Sequence, residues 1–197
     1  MALQGFFTFS LSYLCTYSSE QYLVSALVAV LFALMVIWSP ITERIFFKKP
    51  LSWRIWSAAL ISITGVILLF FPALKSNWED THSGHDTHFL LGLGLALTAT
   101  LASTFGNVVV VKVRQYVLLT MAWAMAWGTV WVSLFAIANG EQWTLPSGIN
   151  YWLSLIYLSL FGSVIAFACY FTLIHRIGAQ KTVFIGVITP IISVLLS

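Results

Sequence analysis

The residues that could do chemistry fall in two kinds of place. One is a short polar connector, where His82, His85 and His88 stand beside Asp80 and Asp86. Imidazoles and carboxylates in one segment can bind zinc, but these spacings match no defined site, and the stretch reads as a solvated loop with no metal. The other is the interior of long apolar runs, where neutral polar side chains recur. Tyr13, Thr16 and Tyr17 share one run, Ser103, Thr104 and Asn107 another, and Ser163 and Tyr170 a third, with Thr189 ahead of Pro190 in the last. An amide in hydrocarbon is costly unless paired, so Asn107 either bonds a neighbouring helix or faces a solute path. Pro190 would free a backbone carbonyl one turn earlier, either to help form a site or simply to bend the helix. Trp123, Trp127 and Trp131 recur at i, i+4 and i+8 and share a helix face. That stripe lines an aromatic cavity or meets lipid and neighbouring helices. The candidates for a substrate pathway are Tyr13, Tyr17, Ser103, Asn107, Trp127, Ser163, Tyr170 and Thr189.

Ionisable groups are nearly absent from these runs. Proton relays and ion sites in membranes generally need them there, so coupling through a buried carboxylate finds no support. Glu43 and Arg44 fall at a helix end, where snorkelling explains them, and His175 and Arg176 read as interfacial. An intramembrane hydrolase needs a nucleophile with a base, paired acids or metal ligands inside spans. No such set occurs, which argues against an enzyme, and nothing calls for a cofactor. Cys15 and Cys169 each lie in an apolar run and read as free thiols packed as small hydrophobes.

The elements that carry these residues follow from composition. Hydrophobic residues make up 60% of the chain and charged ones 8%, against roughly 25% charged in a soluble domain. Apolar runs near 2–18, 22–42, 55–73, 89–111, 116–138, 151–174 and 182–197 give about seven candidate transmembrane helices. Helices are expected because lipid offers backbone groups no partner. Lys and Arg gather in alternate connectors, with Lys75 the exception among the nine. The net charge of +3 therefore marks no nucleic-acid surface, and the positive-inside rule puts the N-terminus in the cytoplasm and the loop 74–88 outside. Trp53, Trp56, Trp78, Trp143 and Trp152 read as interfacial belt residues, and Ala102 with Gly106 as a point of close helix approach.

A shift of 154 residues lays 5–43 over 159–197, pairing Phe7 with Phe161, Cys15 with Cys169, Ile37 with Ile191 and Ser39 with Ser193. Five spans separate the copies, so they point in opposite directions. Inverted repeats of this kind are a mark of secondary transporters, with the site at the repeat interface near the midplane. The last run is about 16 residues, roughly 24 Å of helix, short of a core of roughly 30 Å. A fragment is expected, lacking helices at both ends.

Several stretches resemble the EamA-like family of the drug/metabolite transporter superfamily. They are 20–34, Pro50–Trp56 with Ile63–Leu68, Phe105–Val109 before Lys112, and Gly162–Phe167 through Arg176–Ala179 to Thr189-Pro190. The resemblance implies an all-α polytopic membrane protein with a 5+5 inverted-repeat transporter fold, of which this chain holds helices three to nine. On that template 1–73 belongs to the first repeat, 74–88 is the outer loop and 89–197 belongs to the second. Val36 stands where the family usually has proline, with Pro40 one turn later, and Lys49 where it usually has an acid. The expected function is movement of a small metabolite, such as an amino acid or another small polar or amphipathic solute, by alternating access. The alternatives are a seven-helix receptor or sensor, whose usual N-terminal side is opposite, or a non-transporting structural subunit. The expected partners are the lipid bilayer and a small-molecule solute, with a homodimer as an open arrangement, and the expected location is the bacterial inner (plasma) membrane.

Overall fold

The computed structural model describes residues 1–50, 52–81, 86–113, 116–141 and 148–196, and every regular element among them is helical. The first rod, α1 (2–19), is α-helical over Ala2–Gln4 and Ser12–Ser19 and π-helical over Gly5–Leu11 between them. The second apolar run is broken at Leu34 into α2 (Ser25–Ala33) and α3 (Met35–Phe47). Then come α4 (Trp53–Thr81), α5 (Asp86–Lys112) and α6 (Val117–Ala138). The rod α7 (Ile149–Ile177) winds as a π-helix over Leu158–Ile165. The last run is again broken, into α8 (Ala179–Thr182) and α9 (Ile185–Leu196). Among the described residues, Leu27–Phe47, His88–Lys112, Val117–Ala138 and Ile149–Ile177 are long and apolar enough to cross a membrane, and the protein is a polytopic, all-α membrane protein.

Two departures from the sequence reading concern these boundaries. The helix expected to end near residue 73 continues to Thr81, and its successor starts at Asp86. After Pro72 nothing in Ala73–Thr81 breaks a helix, and a helix that leaves the apolar layer keeps its backbone bonds in water. His82, His85 and Trp143 lie outside the described residues. The second departure is the pair of broken runs. In each, the second segment begins five residues before a proline, at Met35 before Pro40 and at Ile185 before Pro190. Each proline lacks the N–H that would bond the carbonyl four residues earlier, Val36 or Gly186. The π-helical stretches show a related pairing: Gly5–Leu11 shifted by 154 residues falls within Leu158–Ile165.

At the centre lies α5, which packs against α1, α2, α3, α7 and α8. Small residues make this possible: Ala96, Ala99, Thr100, Ala102 and Thr104 are all buried. At Gly106 the Thr8 side chain of α1 stands where a Cβ would go. Gly5 meets the backbone of α6 at Ala124 and Gly128 in the same way. Close backbone approach through small residues is how membrane helices associate when hydrophobicity gives no preference for a partner. The Trp stripe of α6 faces outward, with Trp123, Trp127 and Trp131 all exposed, although Trp131 also meets Phe6 edge-on at 5.5 Å.

Gly106→Leu is expected to lower stability by about 1–3 kcal/mol through overpacking, read as a lower melting temperature in detergent. Gly94→Ala on the same helix, where a Cβ meets nothing within 4 Å, should leave stability unchanged or raise it.

Candidate functional site

Hydroxyls in these helices mostly bond their own backbone, as Thr16 does to the Ser12 carbonyl, Thr104 to Thr100 and Thr172 to Ala168. The exceptions gather between α1, α5 and α7. Ser12 Oγ donates to the Ala99 carbonyl at 3.1 Å and lies 2.6 Å from Ser103 Oγ. Ser12 has one hydroxyl proton, so Ser103 is the donor between the two. Asn107 Nδ2 donates to Tyr170 Oη at 3.0 Å, linking α5 to α7. Asn107 is thus paired across helices, and the Tyr170 hydroxyl proton is left to act elsewhere.

These contacts border a cavity of about 620 Å³ whose lining includes Thr8 and Tyr13 of α1, Met35 of α3, Ser103 and Asn107 of α5, Cys169 and Tyr170 of α7, and Ile185 of α9. The second segment of each broken run, α3 and α9, therefore presents its first residue to the same space. Thr8 is buried and its Oγ1 has no partner among the described residues. Thr8 Oγ1 is shut in against Gly106, so the hydroxyl donors the cavity offers are those of tyrosines such as Tyr170, and its oxygen acceptors include Ser103. Among the described residues no charged side chain lines it.

Of the eight candidates, Tyr13, Ser103, Asn107 and Tyr170 share this cavity. Ser163 lines a neighbouring one of about 740 Å³, together with Thr129, Ser133, Glu141 and Ser159. Tyr13 and Phe167 border both spaces and form the wall between them. Tyr17 stacks on Tyr13 at 6.1 Å but is itself exposed. Trp127 and Thr189 line neither space, and Thr189 bonds its own helix at Ile185. Thr8, Met35 and Ile185 were not read from the sequence. For the last two, the proline five residues on was the available signal.

Two readings are corrected here. Cys15 packs as a small hydrophobe, but Cys169 is exposed, because it sits beside Tyr170 on the cavity side of α7. Glu43 does not snorkel. It is 1% exposed, accepting from Lys49 Nζ at 2.6 Å and from the Gln180 backbone N–H at 3.1 Å. The cause is local: α3 ends at Lys48 in a left-handed conformation (φ 53°, ψ 26°), which turns Lys49 back onto the carboxylate.

The EamA-like transporter family matches residues 1–71 and 90–197. The chain belongs to that family. Among curated proteins, it is 23% identical over 197 residues to "Uncharacterized transporter YdfC" of Bacillus subtilis (strain 168), covering 99% of this chain and 61% of that protein. It is 27% identical over 184 residues to "Uncharacterized inner membrane transporter YedA" of Escherichia coli (strain K12), covering 92% of this chain and 56% of that protein. The EamA-like chain thus spans about three fifths of the length of these relatives. No solved structure matches it.

Asn107 and Tyr170 should be energetically coupled. A double-mutant cycle of Asn107→Leu and Tyr170→Phe, read by unfolding in detergent, is expected to give a coupling of about 0.5–2 kcal/mol. Strict additivity would mean that the bond contributes nothing.

Proposed function

We propose that this chain forms the solute path of a membrane transporter that moves a small neutral or zwitterionic metabolite by alternating access. The cavity between α1, α5 and α7 is its binding site. The observation that carries this reading is the convergence of Ser103, Asn107 and Tyr170 on one space that no charged side chain lines among the described residues. Such a lining meets carbonyl, hydroxyl or amide groups with hydrogen bonds. It leaves a net ionic charge unmatched, and an unmatched charge away from water is costly. Amino acids and other small polar or amphipathic metabolites fit this description, and Phe167 and Met35 supply apolar wall.

The kinks support alternating access. Segments that already break at Leu34 and at Val183-Phe184 can change angle without losing a regular run of helix bonds. The end of the bundle that carries Lys48, Lys49, Lys112, Arg176 and Lys181 faces the cytoplasm by the positive-inside rule, which puts the N-terminus there as well. The bacterial inner membrane is the proposed location, in keeping with the printed name of the Escherichia coli relative.

In vesicles carrying the full-length protein, Tyr170→Phe is expected to raise the KM for a neutral or zwitterionic solute by about threefold to tenfold, the effect of one hydrogen bond. Trp127→Phe should leave it unchanged. Unaltered kinetics in Tyr170→Phe, or accumulation of dianions only, would sink the proposal.

A further inference from the structure

Below the solute cavity, on the same helices, lies a second space of different character. It measures about 540 Å³ and sits where α3, α5 and α7 end. Lys49, Lys112 and His175 line it, together with the apolar side chains of Phe47, Val111 and Ile177. The buried residues Val110, Phe171 and Ile174 belong to one packed cluster between the two levels, so the lower space is not simply the floor of the upper one.

Its polar half is organised. Glu43, almost wholly buried, holds the Lys49 ammonium at 2.6 Å, and the Phe47 ring lies 5.8 Å from the same nitrogen. Gly178 (φ 86°) lets the chain turn tightly beside that ammonium. Glu43 balances the charge of Lys49. Among the described residues neither Lys112 nor His175 forms an ion pair, and both are exposed. The pocket thus keeps an excess of positive charge and N–H donors on one side and an apolar wall on the other.

We propose that this pocket binds the phosphate headgroup of an anionic phospholipid in the adjacent leaflet. The lining chooses among sources of phosphate. A free inorganic or small organic phosphate gains nothing from Phe47, Val111 and Ile177. A phospholipid fills both halves, with its phosphodiester on Lys112 and His175 and its glycerol and upper acyl carbons on the apolar wall. Basic pockets between membrane helices bind anionic headgroups by this combination of charge and shape. The proposal rests on the chain being membrane-embedded, and it is independent of which solute, if any, the upper cavity takes.

The test is native mass spectrometry of the full-length protein in detergent with equimolar phosphatidylglycerol and phosphatidylethanolamine of matched acyl chains. Phosphatidylglycerol should be retained in preference, and K112Q/H175Q should cut that preference by about fivefold or more, the effect of one basic side chain near an anionic surface. K112R, which keeps the charge, should retain it and so separate loss of charge from loss of fold. K181Q, which removes an exposed charge at the same end but outside the pocket, should also retain it. Equal retention of the two lipids would overturn the proposal, and so would equal losses in K181Q and K112Q/H175Q. Displacement of phosphatidylglycerol by equimolar glycerol 3-phosphate would overturn it in favour of a soluble phosphate.

Discussion

In hydrocarbon no water is available to satisfy a polar group, and the arrangement of this protein follows from that constraint. The backbone meets it by helix formation. The hydroxyls meet it locally, by bonding the carbonyl a turn earlier, as at Thr42, Thr120 and Thr182. Local bonding uses up polarity without linking helices. The polarity that remains is paired across helices, borders a cavity or, as at Gln4 and Trp38, is buried with no partner among the described residues, and this remainder is where the protein departs from a simple apolar bundle. Among the described residues, Ser12 with Ala99 and Ser103, Asn107 with Tyr170 and Glu43 with Gln180 are long-range pairings.

These pairings divide the molecule into levels. Between α1, α5 and α7 the groups are neutral and border a cavity. At the basic end Glu43 of α3 grips the backbone at Gln180, so the two proline-bearing broken helices, far apart in sequence, are joined through one carboxylate. A buried carboxylate that lost Lys49 would face a desolvation penalty with only a backbone N–H to offset it.

Much of this organisation was legible in the sequence. Apolar run length and the placement of Lys and Arg give the helices and their alternation, because span length and interface charge are set by the bilayer. That Asn107 either bonds a neighbouring helix or faces a solute path was legible, because an amide in lipid is costly unless paired; the choice between them was not, and Asn107 both bonds Tyr170 and borders the cavity. What the sequence did not disclose depends on tertiary pairing. Glu43 looks like any carboxylate at a helix end until Lys48 adopts its left-handed turn and Gln180 arrives from the other half of the chain. Thr8 and Ser12 look like their back-bonding neighbours, and only the approach of α5 at Gly106 and Ala99 distinguishes them. Nor does composition reveal that α4 continues to Thr81, since helix formers read alike in membrane and in water.

The central claim is that the cavity between α1, α5 and α7 holds the transported solute, and Cys169 offers a direct view of it. In the full-length protein with Cys15 replaced by serine, the rate at which a small methanethiosulfonate reagent labels Cys169 would be measured with and without a solute taken up in vesicle assays. The account predicts slower labelling with saturating solute, and loss of that protection in Tyr170→Phe at the same solute concentration. A transported solute that leaves the labelling rate of Cys169 unchanged would contradict it, and would place the solute path elsewhere in the bundle.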